Sequence, residues 1–271
     1  MRRVEWLLVL LVVAVALPGC KRLSFIKPNP DHRGYTQVAP DYNVRPDRAS
    51  QASAAVAGHL QAAERALQAG QLEEADRQAR AALRGDARSD AAHTLIAMVA
   101  DRRGQNRVAG EHYARALRLA PTSGINLNNQ GVWLCANGRA TESLPLFQQA
   151  LADPGYPTPL AALANSGSCA LKAGDLVRAE SELRQVLQAD PVSPVALQSM
   201  AELSLGRGQA FEARGFIQRH LDAAGDSVES LNLAVRIEQA LGDSAAAERY
   251  RIRLEQHSTR PQNAVGGGSQ R

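Results

Sequence analysis

The sequence has few aromatic residues and few cysteines. Phenylalanine, tryptophan and tyrosine make up 4% of the 271 residues, and only three cysteines are present. The low aromatic content disfavours a β-sandwich, whose strands are usually rich in aromatic and β-branched residues. Three cysteines are too few for a disulfide-stabilised scaffold. With 45% hydrophobic and 21% charged residues, the chain is neither globally disordered nor collagen-like.

Motifs of common catalytic and metal sites are absent as well. The six histidines show no zinc-ligand spacing, and the chain has no phosphate-binding glycine loop, no G-x-S-x-G and no H-E-x-x-H. We therefore expect no catalytic residue, no metal site and no cofactor. The net charge of +4 resides in residues 1–55, so the remaining chain gives no sign of a nucleic-acid-binding face.

The first twenty residues have the features of a bacterial lipoprotein signal peptide. Two arginines precede an apolar run from Trp6 to Leu17, which is too short to span a bilayer of about 30 Å as a helix. The run ends in Leu-Pro-Gly-Cys20, which resembles a lipobox, where the peptidase cuts before the cysteine and the thiol receives a diacylglycerol. The alternative is an ordinary secretory peptide followed by an incidental cysteine. We predict residues 1–19 as the signal peptide and Cys20 as the lipid attachment site.

The segment after Cys20 predicts a tether. Lys21, rather than aspartate, follows the cysteine, which favours the outer membrane, facing the periplasm, in bacteria with this sorting system. Residues 20–51 contain four prolines and no apolar periodicity, so we predict a linker that holds a folded body away from the lipid. At the other end, the glycine-rich residues 262–271 predict a disordered tail.

A regular repeat begins near Ala52. Glycines recur at spacings of 34 residues, with one spacing of 36, and small residues lie five residues after each glycine and seven before the first five of them. This pattern indicates helix–turn–helix units in which small residues let two helices approach closely and glycine ends the first helix. The recurring glycines are Gly70, Gly104, Gly138, Gly174, Gly208 and Gly242.

The pattern resembles the tetratricopeptide repeat. We predict an all-α fold, a right-handed superhelix of six such units in a domain spanning residues 52–261. A two-residue insertion near Tyr156 separates the third unit from the fourth. The predicted units are 56–89, 90–123, 124–157, 160–193, 194–227 and 228–261.

Four short motifs in the third and fourth units give a more specific resemblance. They are Asn128-Asn129-Gln130-Gly131, Asn137-Gly138-Arg139, Asp153-Pro154-Gly155-Tyr156-Pro157 and Asn165-Ser166-Gly167-Ser168-Cys169. Together they resemble the PilF/PilW family of type IV pilus biogenesis lipoproteins. The resemblance implies a pilotin, an outer-membrane lipoprotein that promotes membrane insertion and multimerisation of the pilus secretin and so supports twitching motility. The implied partners are the secretin, outer-membrane lipid and other pilus assembly proteins.

Two other functions stay open at the level of sequence. Repeat lipoproteins also occur in the β-barrel assembly machinery, although the Asn128-Asn129-Gln130-Gly131 motif, the Asp153-Pro154-Gly155-Tyr156-Pro157 motif and the sixth unit argue against that assignment. A scaffold for peptidoglycan enzymes is the third possibility. All three interpretations describe a binding protein rather than an enzyme.

The fold predicts which side chains face the concave surface. Positions 2, 5, 9, 12 and 13 of the first helix of each unit line the groove in this fold, and their mixture of aliphatic and polar side chains suits an amphipathic helix or an extended peptide. We expect Asn129 and Asn165 to support turns between units, and Trp133 to fill the core. The candidate groove residues are Leu60, Glu64, Thr94, Met98, Asp101, Ile125, Asn128, Val132, Ser168 and Lys172.

Cys135 and Cys169 are predicted on the first helices of neighbouring units. Because such helices pack side by side in this fold, the two thiols can face each other, and the periplasm is oxidising. A disulfide between the third and fourth units is therefore one expectation. The alternative is a pair of buried free thiols that pack as small hydrophobic side chains.

Overall fold

The computed structural model describes residues 26–28, 35–37 and 47–259. The first two segments, β1 (Ile26–Pro28) and β2 (Tyr35–Gln37), form an antiparallel pair in which Ile26 lies opposite Gln37. These short strands lie within the segment that we predicted as a linker, and their pairing was not anticipated. Proline is compatible with such a strand because a two-stranded pair consists only of edges.

Twelve helices follow between residues 48 and 259, and they confirm the predicted all-α repeat architecture. Each unit has a first helix, termed helix A, and a second, termed helix B. The A helices are α1 (Arg48–Gln68), α3 (Asp90–Arg102), α5 (Gly124–Ala136), α7 (Pro159–Ala173), α9 (Pro194–Gly206) and α11 (Val228–Ala240). The B helices are α2 (Leu72–Gly85), α4 (Asn106–Leu119), α6 (Ala140–Ala152), α8 (Leu176–Ala189), α10 (Ala210–Ala224) and α12 (Ser244–Thr259).

The helices stack as a solenoid. From α2 onward each helix packs against the next in sequence, and from α3 onward the A helices of consecutive units also contact one another. Helix α1 begins at Arg48, four residues before the predicted start of the domain, because the Asp47 carboxylate accepts a hydrogen bond from the Ser50 backbone N–H at 2.7 Å. An acceptor at this position satisfies a backbone donor that has no partner within the helix.

The turns between A and B helices use the glycines that define the repeat. All six have positive φ values, between 68° and 81°, a region that glycine adopts without the steric penalty of a Cβ atom. Serine side chains begin several A helices. Ser89 accepts a hydrogen bond from the Ala92 N–H at 3.2 Å, and Ser227 forms a reciprocal capping box with Ser230. Local signals therefore set many of the helix ends.

Close approach of helices A and B explains the glycines inside helices. A Cβ atom placed on Gly131 would lie 2.9 Å from the Phe147 ring, and one on Gly167 would lie 2.8 Å from the Leu183 side chain. Both large side chains are fully buried. Large residues on the B helices thus fill the space that the missing side chains on the A helices leave open, and the repeat core interlocks at these positions.

The third and fourth units are joined covalently. Cys135 on α5 and Cys169 on α7 form a disulfide with a Cα–Cα distance of 5.8 Å, within the range that disulfides require. Both cysteines belong to a buried cluster that also contains Leu144 and Phe147. The disulfide therefore ties two A helices together inside the core rather than at the surface.

The segment after α6 closes the third unit. The Asp153 carboxylate accepts hydrogen bonds from the N–H groups of Gly124, at 2.7 Å, and Gly155, at 2.9 Å, and these bonds lower the pKa of Asp153 below its ordinary value. Tyr156 is buried against Gly124, where an added Cβ would lie 2.7 Å from the tyrosine. The Asp-Pro-Gly-Tyr-Pro motif thus folds back onto the start of α5.

A histidine pair lies between the two helices of the second unit. His93 on α3 and His112 on α4 have Nδ1 atoms 3.0 Å apart. Because one Nδ1 must donate and the other accept, the contact requires at least one neutral ring. Burial is the main cause that lowers the pKa of each ring below 6.5. The charged groups that contribute around the pair are Asp76, Arg80, Asp90, Glu111, Arg115 and Arg118.

This pair predicts a pH dependence of stability. A histidine whose pKa is lowered by folding binds fewer protons in the folded state than in the unfolded state, so stability falls as the pH drops through about 6.5. We expect the urea midpoint to decrease between pH 7.5 and pH 5.5. In a His93→Gln, His112→Gln double variant, that decrease should be smaller. An unchanged pH dependence in the double variant would contradict this account.

Candidate partner-binding groove

The first three A helices form a groove with a volume of about 350 Å³. Its apolar lining comes mainly from Leu67, Leu95, Met98 and Ile125, one or two residues from each helix. Ile125 is 48% exposed, so the groove presents accessible apolar surface. Of the ten predicted groove residues, Glu64, Thr94, Met98 and Ile125 line this space.

A buried hydrogen-bond network forms one wall of the groove. The Thr94 hydroxyl donates to Asn126 Oδ1 at 3.0 Å, and Asn126 Nδ2 donates to Asp90 Oδ2 at 2.7 Å. Asn126 is 3% exposed and Thr94 is 6% exposed. The network fixes the second A helix against the third, because satisfied buried polar groups hold one arrangement of their neighbours.

Sequence reasoning missed Asn126 and Asp90. A signal for Asn126 was present, since the same position of the second, fourth and fifth units holds alanine, namely Ala92, Ala162 and Ala196, each fully buried. A polar side chain at a position otherwise reserved for buried alanine indicates a hydrogen bond that the other units lack.

The rim of the groove carries both signs of charge. Arg102 extends from α3 and donates from Nη1 to the Leu67 backbone carbonyl at 2.5 Å, which joins the second A helix to the first. Glu64 is exposed at the same groove. With Asp90 also in the lining, the groove holds two carboxylates and one guanidinium. It is therefore suited to an apolar segment that carries a basic side chain.

The other six predicted residues lie outside this groove. Leu60 is half-buried against the core between the first two units, and Asp101 and Val132 are exposed. Asn128 Oδ1 accepts a hydrogen bond from Asn165 Nδ2 at 3.1 Å, and Asn128 Nδ2 donates to Asn129 Oδ1 at 3.5 Å. The three asparagines therefore link the third unit to the fourth, and the Asn128 amide already has partners.

Trp133 packs between units. Its ring covers Gly110 on α4, where an added Cβ would lie 2.5 Å from the indole, and its centroid is 6.5 Å from that of Tyr113. Burial raises the pKa of Tyr113 well above its ordinary value. The tryptophan thus contributes to the contact between the second and third units, with glycine providing the space.

Ser168 and Lys172 line a separate pocket of about 270 Å³ between the fourth and fifth units. The predicted groove residues therefore divide between two sites on the A helices, and Leu60, Asp101, Asn128 and Val132 line neither of them. Cys20 lies outside the described residues. Within residues 47–259, no helix has the length and apolar character needed to span a bilayer, and no cluster of three or more metal-binding side chains occurs in the described segments.

Comparisons with known proteins agree with this architecture. A family model described as a tetratricopeptide repeat matches residues 170–237. The type IV pilus assembly protein PilF of Pseudomonas aeruginosa is 26% identical over 189 residues, which cover 70% of this chain and 75% of that protein. The crystal structure of PilW, described as a widely conserved type IV pilus biogenesis factor, superposes with a TM-score of 0.67 at 29% identity. This chain is a tetratricopeptide-repeat protein homologous to PilF and PilW.

The structural similarity extends over most of each relative. The superposition on PilW covers 76% of this chain and 95% of PilW. A solved structure of Pseudomonas aeruginosa PilF gives a TM-score of 0.64 at 25% identity, and covers 76% of this chain and 93% of that structure. Tetratricopeptide-repeat proteins typically act as binding scaffolds rather than enzymes, and the family match indicates no catalytic family.

Proposed function

We propose that this protein acts in type IV pilus biogenesis as a pilotin. In this role it is an outer-membrane lipoprotein that faces the periplasm, is anchored through Cys20, and binds the pilus secretin to promote its localisation and multimerisation. The observation that carries the proposal is the similarity to PilW across nearly the full length of that pilus biogenesis factor.

The groove of the first three A helices supports a binding role. Its apolar floor can accept an amphipathic segment, and methionine adapts its shape to such partners. The Thr94–Asn126–Asp90 hydrogen bonds hold one wall of the groove in place before a partner arrives, which reduces the ordering cost of binding. We infer that the groove binds a secretin segment with apolar side chains and a basic residue near Glu64 and Asp90.

The lipid anchor would assist secretin assembly by confining the protein to the membrane surface. A lipidated cysteine followed by a linker keeps the binding groove within a short distance of the membrane, so a captured secretin subunit is concentrated where its ring assembles. Three acyl chains, as on mature bacterial lipoproteins, would anchor the protein stably, whereas one chain gives only marginal binding.

Charges placed in the groove should disrupt secretin assembly. The Met98→Glu, Ile125→Glu double variant places two carboxylates on the apolar floor, and burial of a charge against an apolar partner is strongly unfavourable. We expect secretin binding to weaken by roughly tenfold or more, with a matching loss of the secretin multimer. Denaturant-resistant multimers on gels, together with pull-down of secretin by the purified variant, measure this effect.

Ile252→Glu is the matched control. Ile252 on α12 is 46% exposed, close to the 48% exposure of Ile125, but it lies far along the solenoid from the groove. This variant should assemble secretin normally.

If deletion of the protein left the yield and location of secretin multimers unchanged, the pilotin assignment would fail. Lethality of the deletion would instead favour the β-barrel assembly machinery, and co-purification with a peptidoglycan enzyme would favour the third function.

A further inference from the structure

A pocket rich in arginine lies between the fifth and sixth units. It has a volume of about 270 Å³ and is built mainly on the B helices α10 and α12, with further side chains from the end of α11 and the turn that follows. It is therefore separate from the groove of the first three A helices. We term it the arginine pocket, and its charged and phenolic lining consists of Arg214, Glu238, Asp243, Arg249, Tyr250 and Arg253.

A buried carboxylate fixes one side of this pocket. Glu238 is 2% exposed, and Arg214 binds both of its oxygens, from Nε at 3.0 Å and from Nη2. Burial of a carboxylate is unfavourable unless it is paired, and the two parallel bonds hold the Arg214 guanidinium in one orientation. The pairing is specific to this place in the solenoid, because the position of Glu238 is occupied in the other units by Ala66, Ala100, Leu134, Ala170 and Ser204.

The carboxylate oxygens of the pocket all have partners in the protein. Asp243 Oδ2 accepts a hydrogen bond from Arg214 Nη2 at 3.3 Å, and Asp243 Oδ1 accepts one from the Ala246 N–H at 2.9 Å. Both Glu238 oxygens are bonded to Arg214. A ligand cation would therefore meet only carboxylates that are already paired, and it would lie among three guanidiniums that repel it.

Hydrogen-bond donors, in contrast, are in excess. Arg253 binds Asp226 through Nε and Nη2, so its Nη1 is available, and Nη1 of Arg214 has no partner in residues 47–259. Within the described part of the chain, Arg249 forms no ion pair or hydrogen bond, and the Tyr250 hydroxyl forms no hydrogen bond. The pocket thus presents several donors to solvent and no carboxylate oxygen without a partner.

The Tyr250 hydroxyl belongs to the same set of donors. Burial is the main cause that raises the pKa of Tyr250 above its ordinary value, so the hydroxyl keeps its proton at neutral pH and can donate. The charges of all three arginines oppose this rise, which places them near the phenol. The guanidinium carbon of Arg253 lies 5.3 Å from the centre of the Tyr250 ring.

We propose that the arginine pocket binds a phosphate group. A phosphate is an anion with four oxygens, and guanidiniums bind such oxygens in pairs. A neutral amide would offer these donors a single carbonyl oxygen, and a carboxylate would offer two oxygens. The phosphate is either a soluble phosphate or the headgroup of a phospholipid, since both carry anionic phosphate oxygens. This inference does not depend on secretin binding.

Titration with small ligands tests the chemical class. Inorganic phosphate, glycerol 3-phosphate, glycerophosphoglycerol and acetate are added to the full-length protein while NMR signals of the arginine Nε–H groups and the Tyr250 ring are followed. Physiological ionic strength screens exposed charges during the titration. For inorganic phosphate we expect saturable shifts at Arg249, Arg253 and Tyr250, with a Kd on the order of millimolar. Acetate should bind at least about tenfold more weakly.

The two esters separate the sources of the phosphate. Glycerophosphoglycerol is the phosphodiester headgroup of phosphatidylglycerol, whereas glycerol 3-phosphate is a soluble monoester. If the diester binds as tightly as the monoester, the pocket accepts a lipid headgroup, and if the diester binds much more weakly, the ligand is a soluble phosphate. Acetate binding as tight as that of inorganic phosphate would overturn the proposal, and so would the absence of saturable shifts with all three phosphate compounds.

Two arginine variants distinguish the pocket from the rest of the surface. Arg249 is exposed and has no partner among the described residues, so Arg249→Gln should fold normally and lose about tenfold in affinity for inorganic phosphate. Arg77→Gln is the matched control, because Arg77 is the exposed residue at the equivalent position of the first unit and its replacement removes the same charge. It should leave phosphate binding unchanged.

Equal losses of affinity in the two variants would also overturn the proposal, since phosphate would then respond to the overall charge of the protein. Because no titration contains secretin, these results are independent of the pilotin assignment. Secretin assembly can succeed even if no phosphate binds, and phosphate can bind even if secretin assembly does not require this protein.

Discussion

Replacement of Phe147 with alanine is expected to lower the free energy of unfolding by about 3–5 kcal/mol. Phe147 is fully buried, and its ring occupies the space above Gly131 that no other side chain fills. Because Gly131 has no side chain to move into the resulting cavity, the structure can relax only partly. Urea unfolding monitored by circular dichroism at 222 nm measures the change.

Phe211→Ala is the matched control for this prediction. Phe211 on α10 is 78% exposed, so truncation of the same side chain there should change the free energy of unfolding by no more than about 0.5 kcal/mol. Equal destabilisation by the two variants would show that the Phe147–Gly131 contact does not have the energetic role assigned to it.

Loss of the Cys135–Cys169 disulfide is expected to destabilise the protein by a similar amount. The disulfide closes a loop with a sequence separation of 34 residues, and the chain-entropy estimate for such a loop is about 3–4 kcal/mol. In a solenoid, stability depends on the contacts between neighbouring units. The Cys135→Ala, Cys169→Ala variant should therefore unfold at lower urea concentration, and the third and fourth units should lose hydrogen-exchange protection before the others.

A reductant provides the control for the disulfide. Dithiothreitol should destabilise the wild-type protein to nearly the extent of the double alanine variant, and it should have no effect on that variant. If denatured, non-reduced protein showed two reactive thiols, or if reduction left the unfolding midpoint unchanged, the disulfide would not stabilise the fold.

Contacts between neighbouring units depend on residues that the repeat pattern does not mark. Buried Glu238 on α11 accepts a hydrogen bond from Arg214 Nε at 3.0 Å, and this pair joins the fifth unit to the sixth. Asn126, Asp90 and the asparagines of the third and fourth units do the same elsewhere. Each of these partners is separated by 24 to 37 residues, so the pairing requires the helices to be stacked first.

The motifs that carry the family resemblance have structural roles that their amino-acid sequence did not indicate. Asp153 and Tyr156 close the third unit over Gly124, and Gly131 accommodates Phe147. Asn128, which we expected to offer an amide to a partner, is bonded to Asn165 and Asn129. The resemblance indicated homology correctly, but Gly131, Asp153 and Tyr156 make contacts within the third unit and Asn128 bonds across to the fourth, whereas Asn129 lines the groove.

The repeat could be identified without coordinates. Glycine at a positive φ and small residues at helix contacts are requirements of the local backbone and of close approach, so they recur at fixed spacing and can be read without coordinates. Only the stacked helices bring together the Thr94–Asn126–Asp90 network and the His93–His112 pair. The reason is that hydrogen-bond partners depend on how the stacked helices are rotated and spaced. The repeat pattern constrains that rotation and spacing only at the positions that hold small or apolar residues.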